Sequence, residues 1–592
     1  MGSLLAGSLF VGCSTDLSDI DAATDRLLLE RTRTLGGDAI QPAPRPRPVV
    51  ESRSGAVYTE QPPSRNPRTE DLRFTPRNPA EEAADVQRRL DGYAQRPSDV
   101  RVLSLQDAFR QGQETAREHL TAQEDYFLAA IRLLKERHLW DPRLFASTSA
   151  VVTATGTNGS YVAPLNIINS LSVSQRLPYG GEVAAAWVWN ATEQLRDSAT
   201  GRYTQASSLV LSASQPLLRG AGMVAREDLI QAERELVYAA RTYEEFRRSF
   251  LVSLARDYLS LAQQAAAIAS QEQSLRLLQG LQVRTRALLE AGRIAQFEAN
   301  IAESEVLRTV GTLASLRERY VLALERFKIR LGLPVDAPLA IQESTPALPL
   351  PEVTPDEATA LALDYRLDLQ TRRDRLDDAR RSVNVAVNGL LPDANLSGAV
   401  TLRTKPGVRE GGVVYELDDA IYSAGITVNW PLDRRIERLE LREATIRLER
   451  AQRSLEEFRD QVVVEARSRV REIDRARYAL ALAEKSVQIN ELRAREQEIK
   501  ADEVTAQQVV DTASALLQAR NARDQARSDL YNAVLDYLLA TGQIRVERDG
   551  ALAPLPGLPD ATPPARPTQP APTPAGDMQP AAPAAPPAPS NP

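Results

Sequence analysis

The side chains able to do acid–base, metal or nucleophilic chemistry are few and scattered in this sequence. Its two histidines, His119 and His138, fall in one helical segment, and neither has a cysteine or a metal-ligand spacing beside it. The glycine pairs at 180–181 and 411–412 are not followed by the Lys-Ser/Thr of a phosphate-binding loop. Carboxylates abound, as a hydrolase with paired carboxylates would need, but heptad helices carry them on their outer faces. The sequence therefore predicts no enzyme, no metal site and no cofactor.

The single cysteine, Cys13, closes an apolar run that starts at Leu4. Small Gly12 precedes it and polar residues follow, which is typical of a bacterial lipoprotein signal over residues 1–13. Phe10 stands where leucine is usual, and no Lys or Arg precedes the run, which favours a start inside a longer signal. We predict that Cys13 is lipidated; the alternative is a lone cysteine in a frayed N-terminus.

Composition indicates long helices and argues against nucleic-acid binding. The chain has 592 residues, is 5% aromatic, and is rich in Ala, Leu, Arg, Glu and Gln. Its 72 basic and 79 acidic residues are spread along the chain, so the sequence offers no basic stripe that could bind the phosphate backbone of a nucleic acid. No run of eighteen apolar residues exists, so any crossing of a bilayer must use strands.

Proline-rich segments divide the chain. Residues 14–102 are Pro/Arg-rich and 549–592 are Pro/Ala-rich, and both are predicted to be mostly disordered because neither can bury a core. A Pro-rich linker at 333–355 separates two folded parts, 103–332 and 356–548.

The two folded parts repeat one another. Residues 212–217 correspond to 427–432 at the end of a strand, and 291–294 correspond to 501–504 further on. Gly332 corresponds to Gly542 in the same register. These matches predict a tandem duplication.

Each half contains a very long helical segment with an apolar seven-residue period, which means helices packed side by side. The periodic positions are Leu229, Leu236, Tyr243 and Phe250 in the first half and Leu441, Leu448, Leu455 and Val462 in the second. Residues 224–289 contain neither proline nor a glycine pair, giving about 65 residues and roughly 100 Å at about 1.5 Å per residue.

Other segments alternate apolar and polar residues, as strands with one apolar face do. Leu209 and Leu211 alternate with Ser208, Val210 and Ser212, and Ile426 and Val428 alternate with Gly and Thr. A water-filled membrane barrel requires this pattern, although a soluble sheet on a core has the same period. So few strands cannot close in lipid alone, and closure requires other copies of the chain.

Residues 215–220, Gln-Pro-Leu-Leu-Arg-Gly, resemble the strand-to-helix junction of the TolC-like outer-membrane factors, and 177–181 resemble a hairpin of the longer members. The resemblance covers about residues 103–542. It implies a homotrimer of α plus transmembrane β class, in which each protomer gives four strands to a 12-stranded β-barrel. A long periplasmic α-helical barrel continues it, built from two internal repeats. An additional hairpin at 167–192 either lengthens two strands or forms an extracellular flap.

The resemblance also implies functional positions. The strand–helix junctions are Pro216, Leu217, Pro431 and Leu432. The periplasmic tips, where an adaptor docks, are Gly292, Arg293 and Ile294 in the first half and Asp502, Glu503 and Val504 in the second. Asp502 stands where glycine is expected, and the alternative for both tips is a simple solvent-exposed turn.

A pore constriction is the second implied site. Counting six and nine residues beyond Asp502 gives Gln508 and Asp511, of which only Asp511 matches the acidic pattern of the family. Three carboxylates facing one axis would bind cations and repel anions. The alternative is an aspartate on a solvated helix face.

The four tryptophans lie in or beside strand segments, which suits aromatic girdles at a membrane interface, with core packing as the alternative. They are Trp140, Trp187, Trp189 and Trp430.

The resulting functional hypothesis is a passive trimeric export duct of a tripartite efflux or type I secretion system. It would lie in the bacterial outer membrane, lipid-anchored, and extend into the periplasm. A periplasmic adaptor and an inner-membrane RND or ABC pump would be its partners, and sliding of the second hairpin, residues 434–539, would open it. The alternative is a periplasmic coiled-coil scaffold lipoprotein that forms no channel.

Overall fold

A computed structural model describes residues 18–34, 101–153, 155–157, 160–162, 164–194, 204–342, 350–404, 415, 417–500 and 504–545. Cys13, Asp502, Glu503 and the tail at 549–592 lie outside these residues. The predictions made for them stay predictions.

Helices make up most of the described chain. They are α1 Ser18–Thr34, α2 Leu105–Thr115, α3 Arg117–His138, α4 Glu227–Glu290, α5 Gln296–Arg330, α6 Pro355–Tyr365, α7 Leu367–Gly389, α8 Arg435–Ile499 and α9 Ala506–Ala540. The predicted uninterrupted helix is confirmed, since α4 runs for 64 residues. Helix α8 is of the same length class, with 65 residues.

Local chemistry explains where several helices begin. Ser104 and Asp107 cap α2 reciprocally, and Thr354 with its N3 glutamate does the same for α6. Thr505 and Gln508 form the third such box at the start of α9. Each box satisfies two backbone N–H groups that the first helical turn leaves without partners.

Ten strands are described, and six of them form one antiparallel sheet in the order β10-β9-β7-β6-β5-β2. Their bounds are β1 Arg101–Leu103, β2 Arg143–Val152, β3 Thr155–Thr157, β4 Ser160–Val162, β5 Pro164–Arg176, β6 Glu182–Gln194, β7 Thr204–Pro216, β8 Leu339–Ile341, β9 Asp393–Arg403 and β10 Ile421–Asn429. Strands β3 and β4 form a small separate hairpin, and β1 pairs in parallel with β8.

Helix α4 packs against different partners along its length. Near the sheet, its Leu236 and Tyr243 pack on Tyr126 and Leu133 of α3. At the far end, Leu278 and other α4 side chains pack on α5.

The largest core lies at mid-height of α4. Phe250, Leu254 and Tyr258 pack there with α2, the end of α5, and helices of the second half. The Tyr258 hydroxyl donates a 2.8 Å hydrogen bond to the Gln342 carbonyl and a 3.3 Å bond to that of Leu103. The short β1–β8 pair is thereby attached to this core.

Three features differ from the sequence-based expectations. The sheet of one protomer has six strands where four were expected, because the hairpin expected at 167–192 forms two further strands, β5 and β6, inside it. Helix α1 lies in the segment 14–102 that was expected to be mostly disordered, and its Leu27 and Leu28 are buried against α3. The linker at 333–355 contains β8, which pairs with β1.

Candidate functional site

The six-stranded sheet has one apolar and one mostly polar face. Cross-strand partners share a face, so the register groups side chains into rows across the sheet. One apolar row contains Leu144, Val173, Ala185, Leu211, Val400 and Tyr422. The adjacent row on the other face contains Arg143, Ser174, Ala184, Ser212, Ala399 and Ser423.

Some side chains break this separation. Thr148 and Asn169 lie on the apolar face, where the Thr148 hydroxyl donates a 2.9 Å bond to Asn169 Oδ1. Phe145 and Val151 lie on the polar face. Because Thr148 and Asn169 bond to each other, this pair adds little unsatisfied polarity to the apolar face.

The residues predicted for the junctions follow or end strands of the sheet. Pro216 ends β7, and the Leu217 amide continues the pairing by donating a 2.7 Å bond to the Ala394 carbonyl. In the second half, Pro431 and Leu432 follow β10, and Leu432 is 96% exposed.

The turn between α4 and α5 is the first predicted tip. Gly292 has a φ of 66°, which favours glycine. Its amide bonds to the Leu289 carbonyl, and the Arg293 amide bonds to that of Leu288, each at 2.9 Å. Arg293 is exposed and Ile294 half-buried. In the second tip Val504 is half-buried and directly precedes the cap of α9.

The two predicted constriction residues have different environments. Gln508 accepts a 3.0 Å bond from the Thr505 amide, so its side chain caps α9. Asp511 is exposed and accepts a 2.8 Å bond from Gln507.

Val510, adjacent to Asp511, is a residue that the sequence reasoning missed. It is buried with Leu278, Leu281, Ala302 and Val306 of the first helical hairpin. This cluster joins the two hairpins near their tips. Its signal in the sequence was only that Val509 and Val510 are adjacent apolar residues at the start of a helix.

Ion pairs join the two halves beside the sheet. Arg241 of α4 pairs with Asp374 of α7 at 2.5 Å, and Arg381 of α7 with Glu227 of α4 at 3.0 Å. The Tyr238 hydroxyl donates a 2.5 Å bond to Asp378. Burial, followed by this bond, raises the pKa of Tyr238 to about 12, so the hydroxyl keeps its proton.

His119 is buried beside Tyr243, with 3.4 Å between its Nε2 and the tyrosine hydroxyl. Burial, and then the positive charge of Arg247, lowers the pKa of His119 from 6.5 to about 4. The neutral ring therefore serves packing, whereas His138 is exposed at the end of α3.

Acidification is expected to destabilise the fold through His119. Because the pKa is lower in the folded state, the unfolded chain binds the proton better, so this contribution is complete above about pH 6.5 and is lost towards pH 4. The loss is about 3 kcal/mol at about 1.4 kcal/mol per pKa unit. Thermal unfolding of His119→Phe at pH 7 and pH 4 should lack this component. His138→Gln should retain it, and equal pH dependence in all three proteins would contradict the assignment.

The tryptophans occupy two levels of the sheet. Trp140 precedes β2 and Trp430 follows β10, both at the end that joins the helices. Trp187 and Trp189 lie within β6 on the apolar face, and the Trp187 ring N–H donates a 2.8 Å bond to the Tyr415 hydroxyl. Arg434 lies over the Trp430 ring, 5.3 Å from its centroid.

Within the described ranges, no helix is long and apolar enough to span a membrane. In the same part of the chain, no group of three or more His, Cys, Asp or Glu side chains is placed to hold a metal ion.

Solved structures with this arrangement are outer-membrane channels. The outer-membrane channel OprN is 18% identical, with a TM-score of 0.57 over 76% of this chain and 95% of its own. The Campylobacter jejuni channel CmeC is 14% identical, with a TM-score of 0.56 over 74% of this chain and 85% of its own. The Neisseria gonorrhoeae channel MtrE, in its open state, is 13% identical, with a TM-score of 0.53 over 74% and 88%. No family model and no curated protein matches the sequence.

The sheet, its junctions and the two long helical hairpins thus form a fold shared with outer-membrane channels. More particularly, the fold is that of the TolC-like outer-membrane efflux channels.

Proposed function

We propose that this chain is the outer-membrane channel component of a tripartite efflux or type I secretion system. The observation that carries the proposal is the single amphipathic sheet with two free edges, continued by helices of 64 and 65 residues. At about 1.5 Å per residue such helices are about 100 Å long, a length suited to crossing a periplasm.

The chain acts as one protomer of a homotrimer. Among the described strands, one edge of β2 and one edge of β10 have no partner, and open edges are not tolerated in lipid. Two further copies complete a barrel whose polar face lines the water-filled channel and whose apolar face contacts lipid.

The two halves arose by tandem duplication. Helix lengths support this: 11, 22, 64 and 35 residues for α2 to α5, against 11, 23, 65 and 35 for α6 to α9. The ends correspond as well, because Gly332 contacts Thr115 at the end of α2 and Gly542 contacts Tyr365 at the end of α6.

The proposed protein partners bind at the periplasmic tips of the helical hairpins. A periplasmic adaptor docks at the tips around Gly292, Arg293 and Ile294 and around Asp502, Glu503 and Val504, and it joins the duct to an inner-membrane RND or ABC pump. Three copies of Asp511 form a ring across the closed tip, with Gln508 outside it as a helix cap. Cys13 carries the lipid anchor.

The duct opens by movement of the α8–α9 hairpin against α4–α5. The ion pairs beside the sheet hold the halves together there, whereas the tip is held by the small cluster around Val510 and by Arg520. Arg520 of α9 bonds to Gln273 of α4 at 2.8 Å and to Glu491 of α8 at 3.1 Å. The channel MtrE, of similar fold, has been solved in an open state, which supports an opening step in this chain.

Replacing Arg520 with alanine is expected to favour the open tip. Of the Arg520 bonds to Gln273 and Glu491, only the bond to Gln273 crosses between the hairpins. Losing a hydrogen bond of a charged group costs about 1.5 to 3 kcal/mol, so the open fraction should rise about tenfold or more. Single-channel recording measures it. Arg523→Ala is the matched control, because the guanidinium of Arg523 bonds to the adjacent Asp524. An unchanged open fraction in the Arg520 variant would contradict this role.

The function itself is tested by inserting the purified protein into planar bilayers. A duct inserts as a trimer and conducts ions without nucleotide. A scaffold lipoprotein, the rival hypothesis, conducts nothing and is extracted from membranes without its sheet entering lipid. A water-soluble monomer, or a trimer that passes no ions, would refute the proposal.

A further inference from the structure

We propose that three copies of this chain close an eighteen-stranded barrel, half as wide again as a twelve-stranded one. This rests on the trimeric channel proposed above. The observation is that β5 and β6 are inserted between β2 and β7 and belong to the same continuous sheet.

The inserted hairpin is bonded on both sides. Strand β5 pairs with β2 from Arg143↔Ser174 to Val152↔Leu165. Strand β6 pairs with β7 from Glu182↔Ser214 to Thr192↔Thr204. A flap folded outside the barrel would leave β2 paired directly with β7, and here they are separated by two full strands.

The turn of the hairpin is also held against the junction between sheet and helix. The Tyr179 carbonyl accepts a 3.0 Å bond from the Gln215 side chain and a 3.2 Å bond from the Gly222 amide. Gly180 has a φ of 91°, and a Cβ there would lie 2.6 Å from the Gly220 carbonyl oxygen. Only glycine permits this close approach, so the turn is fitted to its position at the helical end.

The apolar and polar faces of the β5–β6 hairpin match those of the neighbouring strands. Ile167, Leu171 and Val173 of β5 lie on the face that carries Leu211, and Ser170 and Ser174 lie on the opposite face with Ser212. A hairpin in water would not need a continuous apolar stripe in register with that of its neighbours. It therefore faces lipid on one side and the lumen on the other.

The two edge strands, β2 and β10, have the directions and lengths needed to pair between neighbouring copies. Strand β2 follows α3 and runs away from the helices, whereas β10 runs back towards α8. They have 10 and 9 residues, about the length of a tilted transmembrane strand. The β10 edge of one copy therefore accepts the β2 edge of the next in antiparallel pairing, and the occupant of each edge is a second copy of this chain.

The width of such a barrel fits the helices below it. Eighteen strands at ~4.8 Å and ~40° tilt give a diameter of ~36 Å, against ~24 Å for twelve. Each copy supplies four helices at any level, and twelve helices at ~9.5 Å spacing enclose ~36 Å. The barrel continues the helical tunnel without narrowing, so size selection of the cargo falls to the periplasmic tip.

Cysteine pairs in one lumenal row test the strand count. Ser147, Ser170, Val188 and Ser208 follow one another across β2, β5, β6 and β7, and the Ser147 and Ser170 hydroxyl oxygens are 2.7 Å apart. We expect disulfides in Ser147→Cys/Ser170→Cys and in Val188→Cys/Ser208→Cys, measured by mass spectrometry of full-length protein in outer membranes. Ser147→Cys/Ser208→Cys is the control, because three strand spacings, ~14 Å, separate its thiols.

The seam between copies is tested in parallel. Ser147→Cys or Ser149→Cys on β2 is combined with Ser423→Cys, Gly425→Cys or Thr427→Cys on β10, all on the lumenal face. At least one combination should give covalent dimers and trimers on non-reducing gels. The wild-type chain, with its native Cys13, is the background control.

The outcomes separate the two proposals. Seam cross-links together with both intrachain disulfides support eighteen strands. Seam cross-links with a Ser147–Ser208 disulfide and neither hairpin disulfide indicate twelve strands, which overturns this inference and leaves the channel intact. No seam cross-link in any combination overturns the trimeric channel, and this inference with it.

Discussion

A lysine in place of Leu211 is expected to abolish assembly of the protein into the outer membrane. Leu211 is exposed near the middle of β7, in an apolar row that runs across all six strands. A lysine on the lipid face of a barrel costs about 2 to 4 kcal/mol near the bilayer midplane. A trimer carries three, so about 6 to 12 kcal/mol is lost, comparable to the entire stability of a typical domain.

The measurement is the amount of heat-modifiable trimer in the outer-membrane fraction. Val428→Lys on β10 should act in the same direction but more weakly, because Val428 lies on the same face but pairs with Ala394 near the helical end of the sheet, where the cost of a charge falls. Ser212→Lys is the matched control: it is the next residue on β7, and its side chain lies on the polar face. Wild-type trimer levels in Leu211→Lys would show that this face does not contact lipid.

Replacing Gly332 with alanine is expected to destabilise the first half strongly. Gly332 has a φ of 74°, and a Cβ there would lie 2.0 Å from the Thr115 carbonyl oxygen. The left-handed conformation costs a non-glycine residue about 1 to 2 kcal/mol. Overpacking against backbone adds about 1 to 3 kcal/mol, so the free energy of unfolding should fall by about 4 kcal/mol.

Gly292 provides a close control for this prediction. Its φ is 66°, but a Cβ would meet nothing within 4 Å. Gly292→Ala should therefore lose only the conformational cost, about 1 to 2 kcal/mol. Thermal dissociation of the purified trimers compares the two variants. If both lower the midpoint equally, the contact between Gly332 and α2 has no energetic importance.

Features encoded locally were predictable from the sequence. The seven-residue period from Leu229 to Phe250 predicted α4, and alternation around Leu211 and Val428 predicted β7 and β10, because each pattern depends only on neighbours along the chain. Gly292 was predictable as a turn because φ above zero is a property of one residue.

The position of the hairpin at 167–192 was not predictable in this way. Alternation assigned its residues to strands, but alternation is the same for a strand in a barrel, a longer strand and a flap. Its place between β2 and β7 depends on backbone hydrogen bonds to residues about 20 positions away on either side. Helix α1 was not predicted because the composition of residues 14–102, taken as a whole, is Pro/Arg-rich. Within that segment Leu27 and Leu28 pack against α3, a contact that composition does not reveal.

The sequence by itself determined the long helices, the amphipathic strands, the tip glycine and the junction prolines, since these follow from periodicity and from the backbone limits of single residues. Only the tertiary structure decided that the sheet has six strands, that Val510 joins the hairpins at their tips, and that Gly332 lies against Thr115. The physical reason is that strand partners and close contacts depend on which distant segments meet, and no local pattern specifies that.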